Sequence, residues 1–577
     1  MQAWWETCPE RLEFEIQALE RAGYKVERVD EAFEAGAGAL RLSKGMGGLG
    51  QVQLEVLFPF FYPYFRFKII AKNLQLAHHQ NPFDKHLCLL SGEPEAWNTT
   101  DTVAQVLGEM LPKLLVAGAS QDMDEATPLE VDQAEPFTAY YPFGQSSVLW
   151  DSDWTIPADM TKGRLRIGVR EERRTATGQI DDFSAAVLEV MDMAGMRLAG
   201  LRPELADLHR RSEVEGYWVR MQSAIEEIRP LRLLEVLCKA YPNLERTARG
   251  GKRVIIGVLF PEEVRRREYG DGWIFLMVDP VGKRGKKGNH YYLLRPMRAG
   301  MSDLSARLPY FPHLQDKLVA LVGLGCIGAP SAIEFARNGV GTLRLLDGDT
   351  VDAAVSGRWP LGVSCSGKSK TLAIKEFVEQ HYPWTKIHTL SHPLGEVSVD
   401  WAQNKEDAAR IEEFLDKADL VLDSSANLNL GHLLSDFCRR RGIPYMGLAL
   451  TMGVWGGHVL RIEPASEGCW MCYRLMLEDG AIRPANSADD TTGRVQPRGC
   501  AAPTYTGSSF DAHEVIMAGV RMAISTLTAG AATQYPAIPW DAAVVNLRDE
   551  NGAAIAPKWE TYKVEQHPRC PCAKKAG

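Results

Sequence analysis

Leu318-Val319-Ala320-Leu321-Val322 runs into Gly323-Leu324-Gly325-Cys326-Ile327-Gly328, and the next apolar run closes on Asp347-Gly348-Asp349. Five apolar residues bounded by glycine read as a buried strand. Spaced glycines leading into a helix let backbone amides and the positive helix end approach phosphates, and a carboxylate closing the following strand can hold ribose hydroxyls. The expectation is an α/β nucleotide site. By itself the pattern fits a dinucleotide as well as ATP.

The residues that follow separate these two ligands. Arg358 comes next, then Gly367-Lys368-Ser369-Lys370, then a third apolar run, Leu420-Val421-Leu422, ending in Asp423-Ser424-Ser425. NAD keeps its pyrophosphate intact through hydride transfer and needs little extra positive charge. Splitting ATP builds charge on a leaving pyrophosphate, which calls for cations and a carboxylate-held magnesium. At these residues the chain resembles the adenylation domain shared by ubiquitin-activating enzymes and the bacterial sulfur-carrier activators of the ThiF and MoeB type, over roughly residues 318–572. The resemblance implies a Rossmann-like fold in which Gly323, Gly325 and Gly328 form the phosphate loop. It implies further that Asp347 and Asp349 lie at the ribose and adenine side, that Arg358 and Lys370 bind phosphates, and that Asp423 holds Mg2+. The family's Asn three residues before the arginine is Val355 here, so that contact is missing or is taken over by Ser356. Lys368 is a rival to Lys370.

Eleven cysteines admit disulfides, metal ligation or catalysis. Met1-Gln2-Ala3-Trp4-Trp5-Glu6 leads straight into a charged helix pattern, and no apolar run is long enough for a membrane. The reading is a cytoplasmic protein whose cysteines are core residues, ligands or nucleophiles. Cys469-Trp470-Met471-Cys472 and Cys570-Pro571-Cys572 supply four thiolates suited to structural Zn2+, although the single residue inside the second pair makes a tighter bite than the family's usual spacing. Between the pairs, Arg498-Gly499-Cys500-Ala501-Ala502-Pro503 precedes a helix pattern from Phe510, and Cys500 is placed like the thioester-forming cysteine of activating enzymes. A thiolate suits that task, being nucleophilic near neutral pH and giving an acyl product still primed for transfer. A small buried residue or a further zinc ligand are the alternatives for Cys500. Cys238, Cys326, Cys365 and Cys438 read as structural.

The N-terminal part opens with an amphipathic helix, roughly residues 10–22, then strand patterns at 39–42, 52–57 and 65–70. His78-His79-Gln80-Asn81-Pro82 and His86-Leu87-Cys88-Leu89-Leu90 follow, and Trp97-Asn98-Thr99-Thr100 begins another helix through Leu115. As an ordered series this resembles ubiquitin-conjugating enzymes. The resemblance implies that Cys88 is a second nucleophile. The family's His-Pro-Asn element is not present literally, since His78, His79, Gln80 and Asn81 occupy that stretch, and the resemblance implies that Asn81 takes the place of the asparagine that donates to the developing oxyanion. The alternative is that Asn81-Pro82 only shapes a turn and Cys88 is a core residue.

A chain of 577 residues exceeds what one core usually serves. The expected division is a conjugating-like α+β domain over 1–120 and an acidic linker over 121–136, carrying Asp122, Asp124, Glu125, Glu130, Asp132 and Glu135. A middle α+β spacer over 137–300 and the adenylation domain over 301–577 complete it. In the middle region strands are expected at 164–169, 254–259 and 273–278, with helices around 182–193 and 221–241, and no catalytic motif is found there. Lys283-Arg284-Gly285-Lys286-Lys287-Gly288 is a basic cluster, but a net charge of −9 and the lack of interleaved aromatics argue for a solvated hairpin tip and against nucleic acid.

The order of domains resembles the fused activating and conjugating enzymes of bacterial antiphage operons, most nearly those associated with CD-NTase signalling in CBASS. That resemblance implies a homodimer and a partner protein activated at its C-terminus, either a cGAS-like nucleotidyltransferase or a ubiquitin-like protein. The acyl group would pass from an adenylate to Cys500, then to Cys88, then to an amine acceptor. Three other classes stand beside it: a sulfur-carrier adenylyltransferase that needs no N-terminal domain, an NAD-binding oxidoreductase, and a noncatalytic scaffold.

Overall fold

The computed structural model describes residues 2–46, 50–76, 78–90, 96–119, 134–223, 225, 229–248, 251–281, 288–394, 401–496 and 503–572. They form two compact units. One holds residues 1–150, 155–200 and 209–297; the other holds 151–154, 201–208 and 298–577. Most of the acidic linker and of the basic cluster at 283–288, and Cys500 itself, lie outside the described residues. Among the described residues no helix is long and apolar enough to cross a membrane.

The first unit begins with an antiparallel meander: β1 (Lys25–Arg28), β2 (Gly38–Gly45), β3 (Gln51–Phe58) and β4 (Lys68–Ile70). Alternation in β3, where Val52, Leu54, Val56 and Phe58 are buried, sets which face meets the helices Pro9–Arg21 and Val103–Ala119. Glu15 ties these helices to the loop after β3. Its carboxylate accepts from the Tyr62 hydroxyl at 2.5 Å and the Val103 amide at 3.0 Å, and Arg11 pairs with it at 2.7 Å. A buried charge is tolerable here because each oxygen has donors.

A second sheet follows in the same unit: β5 (Ser147–Trp150), β6 (Lys162–Arg174), β7 (Ile180–Met191), β8 (Arg197–Gly200), β9 (Ser212–Arg220), β10 (Val254–Arg265), β11 (Glu268–Val281) and β12 (Gly288–Arg298). The order is β5-β12-β11-β10-β9-β6-β7-β8, and β5 also pairs with β7, so the sheet closes on itself. The expected strands at 164–169, 254–259 and 273–278 lie within β6, β10 and β11. The helix expected around 182–193 is instead strand β7. A short apolar run satisfies either period, and here pairing with β6 along its length decides for extended backbone. The helix expected over 221–241 begins only at Pro230, a residue suited to the first helical turn, and ends at Ala240.

The second unit is a doubly wound sheet. Its strands are β13 (Leu318–Val322), β14 (Thr342–Leu346), β15 (Lys386–Leu390), β16 (Leu420–Asp423), β17 (Tyr445–Leu450) and β18 (Gly456–Ile462). The hairpin β19 (Arg494–Val495) and β20 (Thr504–Tyr505) stands apart, and β21 (Ala542–Arg548) and β22 (Ala554–Tyr562) complete the main sheet. The order is β15-β14-β13-β16-β17-β18-β21-β22, parallel through β17 and antiparallel beyond it. One face is covered by helices Gly328–Arg337, Lys370–His381 and Ser509–Leu527, the other by Trp401–Leu415, Leu428–Arg441 and Trp470–Glu478. The chain reverses direction across the sheet between β13 and β16, which opens a crevice at their carboxyl ends.

Candidate functional site

The glycine loop leaves β13 at that crevice. Gly323 has φ +86°, and a Cβ there would lie 2.9 Å from the backbone of Ser425, so only glycine lets the loop pass this close to the end of β16. Ser424 Oγ donates to Gly323 O at 2.7 Å and the Trp359 indole donates to Leu324 O at 2.9 Å. On the opposite side, the Asp347 carboxylate accepts from the Leu324 amide at 2.6 Å and the Asp349 amide at 2.7 Å. Asp347 therefore shapes the loop itself. A Cβ on Gly328 would strike Gly323 O, while one on Gly325 would meet no atom within 4 Å, so Gly325 is the glycine whose backbone faces open space.

That space is a cavity of about 260 Å3 whose wall includes Gly325, Cys326, Val355, Arg358, Lys370 and Tyr505. Lys370 Nζ lies 2.7 Å from Asp349 and 3.9 Å from Asp347, whereas Lys368 reaches Glu376 at the surface at 2.6 Å and does not line the cavity. Arg358 Nη1 donates to Tyr505 O. Ser356 does not take over the missing asparagine contact: its hydroxyl donates to Ala353 O within its own turn at 2.7 Å, and Val355 leaves an apolar patch on the wall. β19 and β20 pair across the segment that contains Cys500, and Thr504 and Tyr505 of β20 line the cavity.

Asp423 ends β16 and is buried. It accepts from Ser425 N at 3.0 Å and Ser425 Oγ at 2.6 Å through one oxygen, and from Tyr445 Oη at 2.9 Å through the other. Burial pushes its carboxyl upward, and these hydrogen bonds pull partly back. Three of about four lone-pair sites are thus occupied, and Asp423 is not on the cavity wall. The residues present do not offer a free carboxylate to Mg2+ there in this conformation.

The four cysteines expected to act together are brought together. Cys469, at the N-terminal end of helix Trp470–Glu478, stands 3.7 Å from Cys472, 3.6 Å from Cys570 and 3.8 Å from Cys572 between sulfurs. Cys472 and Cys572 are 3.4 Å apart. All four sulfurs lie within 4.8 Å of one another. Tetrahedral zinc with Zn–S near 2.3 Å requires sulfurs about 3.8 Å apart, so the donor set and its spacing fit that ion despite the short Cys570-Pro571-Cys572 bite.

In the first unit, Cys88 is half-buried on the wall of a cavity of about 480 Å3 shared with Arg66, Lys68, His86, Glu135 and Tyr140. Its amide donates to His79 O at 2.8 Å, and its sulfur is 3.9 Å from the Tyr140 hydroxyl. Burial and the charge of Glu135 push the thiol upward. Asn81 is buried, 7% exposed, and its side-chain oxygen accepts from the amides of Phe83 at 2.8 Å and Asp84 at 3.3 Å. It forms an Asx turn and does not line the Cys88 cavity. The Trp97 indole donates to Pro63 O at 2.8 Å and packs edge-on against Phe67. Glu135, expected as part of a solvated acidic linker, is instead buried against His79, and neither it nor Tyr140 is marked by a motif, because their nearness to Cys88 exists only after folding.

Comparison with known proteins adds three kinds of relative. Residues 309–535 match the ThiF family and residues 36–149 match Prokaryotic E2 family B. Ubiquitin-like modifier-activating enzyme 5 of Dictyostelium discoideum is 28% identical over 182 residues, which is 30% of this chain and 45% of that enzyme. SAMP-activating enzyme E1 of Haloferax volcanii is 32% identical over 183 residues, 31% of this chain and 60% of that enzyme. Uncharacterized protein y4oA of Sinorhizobium fredii is 30% identical over 608 aligned positions that cover 100% of this chain and 98% of that protein. The chain therefore belongs to the family of y4oA, with a Prokaryotic E2 family B domain ahead of a ThiF family domain homologous to E1-like ubiquitin-activating enzymes.

Proposed function

We propose that this protein activates the C-terminal carboxylate of a partner protein with ATP and conjugates it to an amine. The observation that carries the reading is the common cavity on which Gly325, Arg358, Lys370 and the β20 end beyond Cys500 meet. A carboxylate attacking the α-phosphate of ATP there releases pyrophosphate, whose charge the two cations offset. Cys500 then attacks the resulting acyl adenylate and releases AMP to form a thioester, thiol exchange passes the acyl group to Cys88 and frees Cys500, and an amine discharges it as an amide and frees Cys88. The acyl donor is a ubiquitin-like protein or a cGAS-like nucleotidyltransferase of an antiphage operon. Cys469, Cys472, Cys570 and Cys572 hold structural zinc that ties the segment 570–572 to helix Trp470–Glu478.

The test is a trap. Tagged Cys88→Ser and Cys500→Ser proteins are expressed in the native host, purified and searched by mass spectrometry for a protein ester-linked at those serines. A partner attached through its C-terminus at both positions is expected. Two unmodified, folded variants that still exchange pyrophosphate into ATP would instead favour a sulfur-carrier adenylyltransferase.

A further inference from the structure

One wall of the Cys88 cavity comes from outside the meander that carries the cysteine. Ala134 and Glu135, at the end of the acidic linker, and Ala139 and Tyr140, just beyond it, line it. This segment is anchored on its far side. The Glu135 amide donates to Glu263 at 3.0 Å, the Thr138 amide donates to Glu262 at 2.9 Å, and the Phe137 ring meets Phe83 and Phe260 edge-on. The Glu135 side chain is 8% exposed, and His79 holds it from two points, its amide at 2.8 Å from Oε2 and its Nδ1 at 3.0 Å from Oε1. The Tyr140 side chain interacts with the same carboxylate. Glu135 thus links His79 to the tyrosine whose hydroxyl stands 3.9 Å from the Cys88 sulfur.

We propose that Tyr140 and Glu135 are a proton relay for Cys88, with His79 as the residue that positions Glu135; this rests on Cys88 being the conjugating thiol. On charging, Cys88 Sγ attacks the donor thioester carbonyl. Its proton passes to the Tyr140 oxygen while the Tyr140 proton passes to Glu135. The new C–S bond forms, the donor C–S bond breaks, and the departing donor thiolate recovers the proton from Glu135. On discharge an amine attacks the same carbonyl and a C–N bond forms. As the Cys88 C–S bond breaks, a proton shed by nitrogen returns through Glu135 and Tyr140 to sulfur. The relay answers a difficulty of the site: with the thiol pushed up by burial and by Glu135, thiolate is scarce near neutral pH and is a poor leaving group without a proton. Burial would also raise Glu135, but the His79 hydrogen bonds hold it below its ordinary value and hence ionised. Burial and the Glu135 charge keep Tyr140 protonated. The other charged or titratable groups on the cavity wall are Arg66, Lys68 and His86, and Arg66 and Asp84 act on the thiol through their charge.

The full-length protein is incubated with the 2-mercaptoethanesulfonate thioester of glycylglycine, an acyl donor that needs no adenylation, and acylation of the Cys88 peptide is followed by mass spectrometry. Wild type is expected to acylate at pH 7, and Glu135→Gln and Tyr140→Phe to do so roughly 100-fold more slowly, as for loss of a positioned proton acceptor. Both variants should approach wild type as rising pH ionises the thiol directly, a recovery that a folding defect would not produce. Variants as fast as wild type, or faster because a repelling charge is gone, would overturn the relay. A wild-type Cys88 that stays unmodified while other cysteines react would instead remove the conjugating assignment on which the relay depends.

Discussion

At the scale of single residues, environment decides chemistry that residue type leaves open. His458, on β18, shows this away from any proposed reaction. The Ala485 amide points at its Nε2 from 3.5 Å and Nδ1 lies 3.0 Å from the Tyr473 hydroxyl, so the ring is held as the neutral Nδ1–H tautomer. Burial, then the nearby Arg474 charge, lower it from 6.5 to about 4. The unfolded chain binds a proton below the ordinary histidine value and the folded chain does not, so stability falls as pH drops through 6.5 and the loss is complete near 4. At about 1.4 kcal/mol per unit, the shift is worth at most about 3 kcal/mol. Urea unfolding of the full chain from pH 7 to 4 should show that slope, and His458→Gln should flatten it. Equal slopes would mean that the ring is charged in the folded protein. The same dependence on surroundings separates Lys370 from Lys368: both stand in one short polar run, and only the position of Lys370 at the head of its helix aims it at Asp349 and the cavity.

At the scale of elements, the glycine loop is where local sequence and tertiary packing meet. Gly323 and Gly325 look alike in sequence and have different reasons to be glycine. Gly323→Ala would place a side chain in left-handed backbone against Ser425, at a cost of roughly 1–3 kcal/mol to the second unit and with loss of pyrophosphate exchange. Gly325→Ala meets no protein atom, so its stability should stay within about 0.5 kcal/mol of wild type while nucleotide binding weakens. Denaturant midpoints paired with exchange rates separate the two effects; equal loss of stability in both would argue that Gly325 only shapes the turn. At this scale much was legible beforehand. The apolar runs at 318–322 and 420–422 are strands and the pattern from Phe510 is a helix, each beginning within a residue of where it was expected. Strand β7 was not legible, because its central Ala185-Ala186-Val187-Leu188 is apolar without alternation and has no period to read.

At the scale of the whole molecule, contacts between distant parts of the chain carry the chemistry. Cys469 and Cys570 are 101 residues apart and their sulfurs 3.6 Å apart. Cys570→Ser is expected to abolish one bound zinc per chain, measured by elemental analysis, and to lower the unfolding temperature of the second unit because metal binding free energy is folding free energy. A metal-free wild type with the variant's stability would remove zinc from this site. What the sequence by itself determined are features written in neighbouring residues: the strand–glycine–helix entry, the carboxylates that close strands, the paired cysteines and the order of the two family domains. Only the tertiary structure decided which of those groups face a common space. Asp347 is spent on the loop and Asp423 is buried behind Ser425, while Glu135 and Tyr140, far from Cys88 in sequence, stand on its cavity wall. The physical reason is that backbone pattern is set by local sterics and periodicity, whereas the direction a side chain faces is set by the packing of elements that meet only on folding.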